Sequence, residues 1–333
     1  MGLFNFWGNY TKPGPGVEKD EIPKAAPIRF FQILGRKFGK MMQLNLIFML
    51  PVLVSVFLMG VLFLFVPHFG LELSVANGAL TLDVCTLYVV PFPLVLLSPF
   101  TAGLTYVTRN FSREEHAFVW SDFWTAVKNN WKYFLLNGLI IYLFYVIQSF
   151  AMIYYYNNAA QNAFLYAPFW ICIVISVVFL FAQYYIPVMF VTFDLKFGQV
   201  YRNALIFVLA GFFRNLLLTV ILAAIILVIL LIPIMPLTIM ILFFLVVLLL
   251  FSLISYLINF TIYPVIDQYL IQPYHKQQEE EKKNAPKLVK EYLPEEPEKD
   301  RYVYVNGKLV KRSQMEDEEK KEEQEENEEQ EQE

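Results

Sequence analysis

The chain has 333 residues, of which 57% are apolar, 17% aromatic and 17% charged, with a net charge of −4. Soluble domains carry roughly a quarter charged residues, so an ordinary globular protein, a disordered chain and a basic nucleic-acid binder are all excluded. Charge is also unevenly placed: residues 1–40 hold 7 Lys+Arg and 3 Asp+Glu, residues 41–273 hold 7 and 7, and residues 274–333 hold 12 and 20. That pattern predicts an all-α polytopic membrane domain with a solvated, disordered acidic C-terminal tail.

Residues 1–40 read as a cytoplasmic N-terminal segment. Within it, Ile28, Phe31, Leu34 and Phe38 recur at helical spacing, with Arg29, Arg36, Lys37 and Lys40 on much of the other face. This is either an interfacial amphipathic helix on an anionic leaflet or a plain juxtamembrane anchor. The first apolar run begins near residue 41, too late for a secretory signal.

Residues 41–273 form the membrane domain. A spanning helix needs about 20 apolar residues, and six stretches qualify: 41–66, 82–106, 133–155, 169–193, 216–232 and 237–263. Pro233 and Pro236 separate the last two, since each removes a donor and disfavours helix before it. All the basic residues then fall on one side. The loops 71–81, 157–167 and 233–236 carry none, whereas 108–132 and 194–215 carry seven. By the positive-inside rule both termini are cytoplasmic.

The 108–132 loop is the most structured of these connections. Ser112-Arg113-Glu114-Glu115 has the spacing of a capping box, with helix expected through Trp120. Trp120, Trp124 and Trp131 follow near one face. Such tryptophans form an aromatic belt at the membrane interface or, with Arg113 and Glu114, a docking surface for a partner subunit. The 194–215 segment repeats this layout faintly.

Polar residues in the spans are sparse: Gln43, Asn45, Asn137, Gln148, Gln183 and Asn259. No charge lies away from a span end in this reading, which argues against pumps and ion-coupled transporters. Asn45, Asn137, Gln148, Gln183 and Asn259 either bond across helices or mark a pathway for a neutral solute. Prolines 51, 91, 93, 99 and 187 break or kink spans, through packing or toward a cavity. There is no His–Cys–carboxylate cluster with metal spacing, no phosphate-binding glycine loop and no nucleophile elbow. Neither catalytic residues nor cofactors are expected. Cys85 and Cys172 read as apolar packing residues.

The tail, residues 274–333, is charged, and Glu279–Pro297 within it is rich in charge and proline and is expected to be disordered. Asn306-Gly307 between β-formers predicts a short hairpin over 301–312, marginal alone. Glu316–Glu333 holds 12 acids and 2 lysines.

Several stretches carry a family resemblance. They are the opening Met1–Phe6, the Lys12–Val17 run, Arg36-Lys37-Phe38 followed by Gln43–Leu46, and above all Pro99–Phe118 with Ser121-Asp122-Phe123. Together they resemble the YesL-like family of bacterial integral membrane proteins, a domain of unknown function. The resemblance implies a bacterial inner-membrane protein associated with carbohydrate uptake, with ABC transporter permease subunits as partners. Three roles are consistent with the sequence: a non-enzymatic accessory component, a channel or facilitator for a small neutral solute, and a scaffold acting through the acidic tail.

Overall fold

In the computed structural model, six helical segments are long and apolar enough to cross a bilayer. The structure describes residues 25–67, 69–75, 78–159, 162–233, 235–273, 276, 302–305 and 308–311. The expectations for residues 1–24 and for the acidic block 316–333 lie outside them.

Helix α1 (Ala26–Phe65) opens with Pro27 in its first turn and runs for 40 residues. At 1.5 Å per residue it is about 60 Å long, twice the ~30 Å hydrocarbon layer. The basic amphipathic segment is therefore a continuous extension of the first span, with no break at residue 40. Of the stripe named from sequence, Leu34 alone packs partly against the core. Ile28, Phe31 and Phe38 are exposed, whereas Ile33 and Met41 are buried and Phe30 stacks on Tyr256 at 4.9 Å.

After an antiparallel hairpin, β1 (Gly70–Val75) and β2 (Gly78–Asp83), the second span is broken into pieces. A π-helical turn at Cys85–Val89 leads to α2 (Leu94–Leu97), a 3-10 turn and α3 (Thr101–Ser112). Pro91, Pro93 and Pro99 cause this, because each lacks the N–H that an α-helical ladder needs. Shorter bonds substitute, such as Leu94 N–H to Pro91 O at 3.0 Å. Two tyrosines on the next helix satisfy carbonyls in the π turn: Tyr142 donates to Tyr88 O at 2.7 Å and Tyr145 to Leu87 O at 2.9 Å.

Helix α4 (Val119–Ala159) is 41 residues long and carries the third span plus an extension at its N-terminal end. Helix α5 (Tyr166–Thr192) is the fourth span. The segment after it, read from sequence as a faint repeat of the 108–132 layout, holds the 14-residue helix α6 (Phe197–Ala210), whose Val200, Ala204, Phe207 and Val208 are buried. Helix α7 (Phe212–Leu231) is the fifth span. The sixth consists of α8 (Pro236–Leu245), a π-helical turn at Val246–Leu250 and α9 (Phe251–Ile266).

Helix α3 is the axis of the bundle, touching α1, α4, α5 and α9. Close approach is written in glycine: a Cβ on Gly103 would collide with Phe123, and one on Gly138 with Ser98. Small residues let helix backbones approach where lipid supplies no hydrophobic force between helices. Strands β3 (Tyr302–Val305) and β4 (Lys308–Lys311) pair antiparallel. Leu309 of β4 bridges to Phe193, so the hairpin rests at the α5–α6 connection.

Candidate functional site

Two groups of side chains stand out, one at the basic end of the bundle and one in its interior. At the basic end, α3 stops in a Schellman motif: Glu115 N–H donates to Asn110 O at 2.9 Å and Glu114 N–H to Phe111 O at 3.1 Å. This corrects the capping-box expectation. Ser112 is the last residue of α3, buried, with its hydroxyl turned back to Arg109 O at 2.7 Å. Helix α4 starts only at Val119, and Asp122 caps it by accepting from Phe118 N–H at 2.9 Å.

Glu114 occupies the motif's left-handed position, with φ of 62°. Glycine favours that position, and an L-residue there costs about 1–2 kcal/mol. What the glutamate supplies in return is a clamp. Its Oε1 accepts from Arg29 Nε at 3.0 Å and its Oε2 from Arg36. Lys40 adds a bond to Ala117 O at 3.1 Å. The α1 extension is thereby tied to the α3–α4 turn. The Arg36 hydrogen bond, helped by Arg29 and opposed by partial burial, holds the Glu114 carboxyl below the ordinary carboxylate range. Arg113 pairs with Glu115 at 2.7 Å and lies 5.2 Å from the Tyr263 ring.

The three tryptophans divide. Trp120 is 57% exposed and Trp131 46%; eleven residues apart, they sit on one face of α4, separated by about 16 Å. Trp124 turns inward against Phe123 and Phe100. Its Nε1 is buried and finds no hydrogen-bond partner among the described residues.

In the interior, five of the six span amides occupy four places, Gln43 being exposed. Asn45 donates to Val246 O at 2.8 Å and Val247 O at 2.7 Å, and accepts from Ser252 N–H at 3.0 Å. It thus bonds three backbone groups in and just beyond the π turn of the sixth span. Gln148 donates to Cys172 O, joining α4 to α5. Asn137 donates to Gln183 Oε1 at 3.2 Å and accepts from Tyr201 at 2.6 Å. Asn259 donates to Thr108 Oγ1 at 2.9 Å and to Ser255 O at 2.8 Å. Gln183 and Asn259 share a partly open cavity of about 290 Å³ between α1, α3, α5 and α9. Gln183 Nε2 and Asn259 Oδ1 are buried without a partner among the described residues, a condition that costs about 1–3 kcal/mol per group.

One residue was not foreseen. Arg109, assigned by sequence to a loop, lies inside α3 and is 1% exposed. Its guanidinium donates to Val191 O at 2.8 Å, Thr192 Oγ1 at 3.2 Å and Asn110 Oδ1 at 2.8 Å, and stacks 4.5 Å from the Tyr106 ring. It fastens α3 to the last turn of α5, where the helix dipole favours a cation. The run Thr101–Ser112, with no proline in it, is the signal that would have placed it.

Residues 61–152 match the family described as a protein of unknown function, DUF624. The match covers less than a third of the chain, so it stands as a similarity. The matched segment includes the broken second span, Arg109, the Glu114 turn, all three α4 tryptophans, Asn137 and Gln148. No curated protein matches the chain. No solved structure matches it either.

Proposed function

We propose that this chain is a non-enzymatic accessory or regulatory component of a bacterial inner membrane, multi-pass with both termini cytoplasmic. The positive-inside distribution supports that orientation. The observation that carries the role is the Glu114 clamp. A glutamate stands in a strained glycine position while it holds two arginines of α1, and strain of this kind clusters at functional sites. The clamp braces the turn from which α4 presents Trp120 and Trp131 on one face. Exposed tryptophans on a rigid element are suited to anchoring a partner.

The partner class follows from the YesL-like resemblance and is a permease subunit of an ABC-type carbohydrate uptake system. Affinity purification in mild detergent tests this. Wild type should co-purify such a subunit, and the Trp120→Ala/Trp131→Ala variant should lose it without losing monodispersity. Equal recovery by both proteins would refute the docking face.

A further inference from the structure

The C-terminal hairpin is seated on the bundle, and its seat is basic. Leu309 O of β4 accepts from Asp194 N–H at 3.3 Å, and Leu309 bridges in parallel to Phe193. The hairpin is thereby fixed where α5 gives way to α6. Beside this seat a stack of three rings joins α4, α5 and α6. Tyr133 lies 5.4 Å from Phe190, and Phe197 lies 5.4 Å from Phe190 and 6.2 Å from Tyr133. Lys132 and Lys196 each precede a ring of that stack by one residue, Lys128 is about one turn before Lys132 on α4, and Arg202 follows on α6. All four cations are exposed, and none of them forms an ion pair among the described residues. Asp194 is the single acid in residues 128–132 and 193–202, so this seam carries an excess of positive charge.

The opposite charge comes next along the chain. Only Arg312–Met315 separate β4 from Glu316–Glu333, which holds 12 acids and 2 lysines. At the ~3.6 Å per residue of fully extended chain, Glu316 stays within about 18 Å of Lys311. A short tether raises the effective concentration of the segment it carries to the millimolar range, and complementary charge selects where that segment settles. The α1 extension is the poorer seat, because Glu114 already takes Arg29 and Arg36 there. We propose that Glu316–Glu333 occupies the seam formed by Lys128, Lys132, Lys196 and Arg202, an intramolecular latch that the β3–β4 hairpin fastens in place. In that position the acidic block shields the seam from anionic lipid headgroups, which the same cations attract when bare.

The test uses the full chain in phosphatidylcholine nanodiscs with a carbodiimide as probe, which joins a carboxyl to an amine in contact, the products being mapped by mass spectrometry. Crosslinks should run from the acids of Glu316–Glu333 to Lys128, Lys132 and Lys196. They should fall about fivefold or more in 1 M NaCl, where the Debye length is about 3 Å, and persist when phosphatidylglycerol replaces part of the lipid. A second measurement removes the charge from the block. With every acid of 316–333 replaced by its amide, the full chain should bind a free fluorescent 316–333 peptide about tenfold more tightly than wild type, whose own block holds the seam. Lys128→Gln/Lys132→Gln/Lys196→Gln/Arg202→Gln on that background should abolish the gain. If these variants fail to fold, the crosslinks on the unaltered protein decide. No crosslinks, crosslinks confined to Lys37 and Lys40, or crosslinks only between copies would each overturn the proposal. Crosslinks that vanish in phosphatidylglycerol discs would overturn it as well, assigning the seam to lipid headgroups.

Discussion

The basic half and the opposite, charge-poor half of this bundle are built from similarly apolar helices, yet they hold together differently. In the basic half, α3, the C-terminal turns of α5, most of α9 and the start of α4 bury nearly all their inward side chains. Arg109, Asn45, Asn259 and Asn137 cross-link them. In the charge-poor half, α7 beyond Leu218 and the whole of α8 bury no side chain, and residues such as Leu230, Leu231 and Phe243 lie open. Lipid tails are as apolar as leucine, so hydrophobicity alone does not draw helices together in a bilayer. They meet where small residues and polar groups give them a reason to.

The sharpest way to break this contrast is to remove Arg109. Arg109→Met leaves Val191 O, Thr192 and Asn110 facing a buried apolar chain. Hydrogen bonds to charged groups are worth about 1.5–3 kcal/mol, so loss of the monodisperse peak or a large drop in unfolding midpoint is expected. Gly138→Leu comes next. It forces a side chain into Ser98 and should cost about 1–3 kcal/mol by overpacking, read as a lower midpoint in the same detergent.

The clamp gives a smaller, two-part effect. Glu114→Ala and Glu114→Gly both lose the ion pairs, which are partly exposed and worth about 1 kcal/mol or less. Only Gly relieves the left-handed strain, so Glu114→Gly should melt higher than Glu114→Ala by about 1 kcal/mol. Because the folded carboxyl is held below its ordinary value, near 4.3 when unfolded, its contribution is fully present above that pH. It is lost as pH falls through the lower folded value. The gap between wild type and Glu114→Gln should thus stay constant from about pH 8 to 5 and close only in stronger acid. The smallest effect belongs to the charge-poor half: Phe243→Ala should change the midpoint by no more than about 0.5 kcal/mol.

The sequence made the six spans legible because long runs apolar on every face have few other homes. The breaks in them were half legible. Prolines 91, 93 and 99 announced a fractured second span, whereas the π turn at Val246–Leu250 carries no proline and is visible only through Asn45, some 200 residues away. The capping-box reading failed because Ser-x-x-Glu fits a helix end as well as a start when the preceding helix runs on unbroken. Arg109 was misplaced for the same reason. Of the proposed surface residues, Trp120 and Trp131 are exposed, while Glu114 is occupied by Arg29 and Arg36, partners that lie 85 and 78 residues away in the chain.

One matched truncation tests the central contrast most directly. Leu44 in the basic half is 0% exposed and Leu231 in the other half is 72% exposed, so leucine-to-alanine is the same chemical change in two settings. Thermal unfolding of both variants in one detergent should show Leu44→Ala losing about 2–5 kcal/mol and Leu231→Ala within about 0.5 kcal/mol of wild type. Equal losses would mean that the charge-poor half is packed as firmly as the basic half, and the account would be wrong.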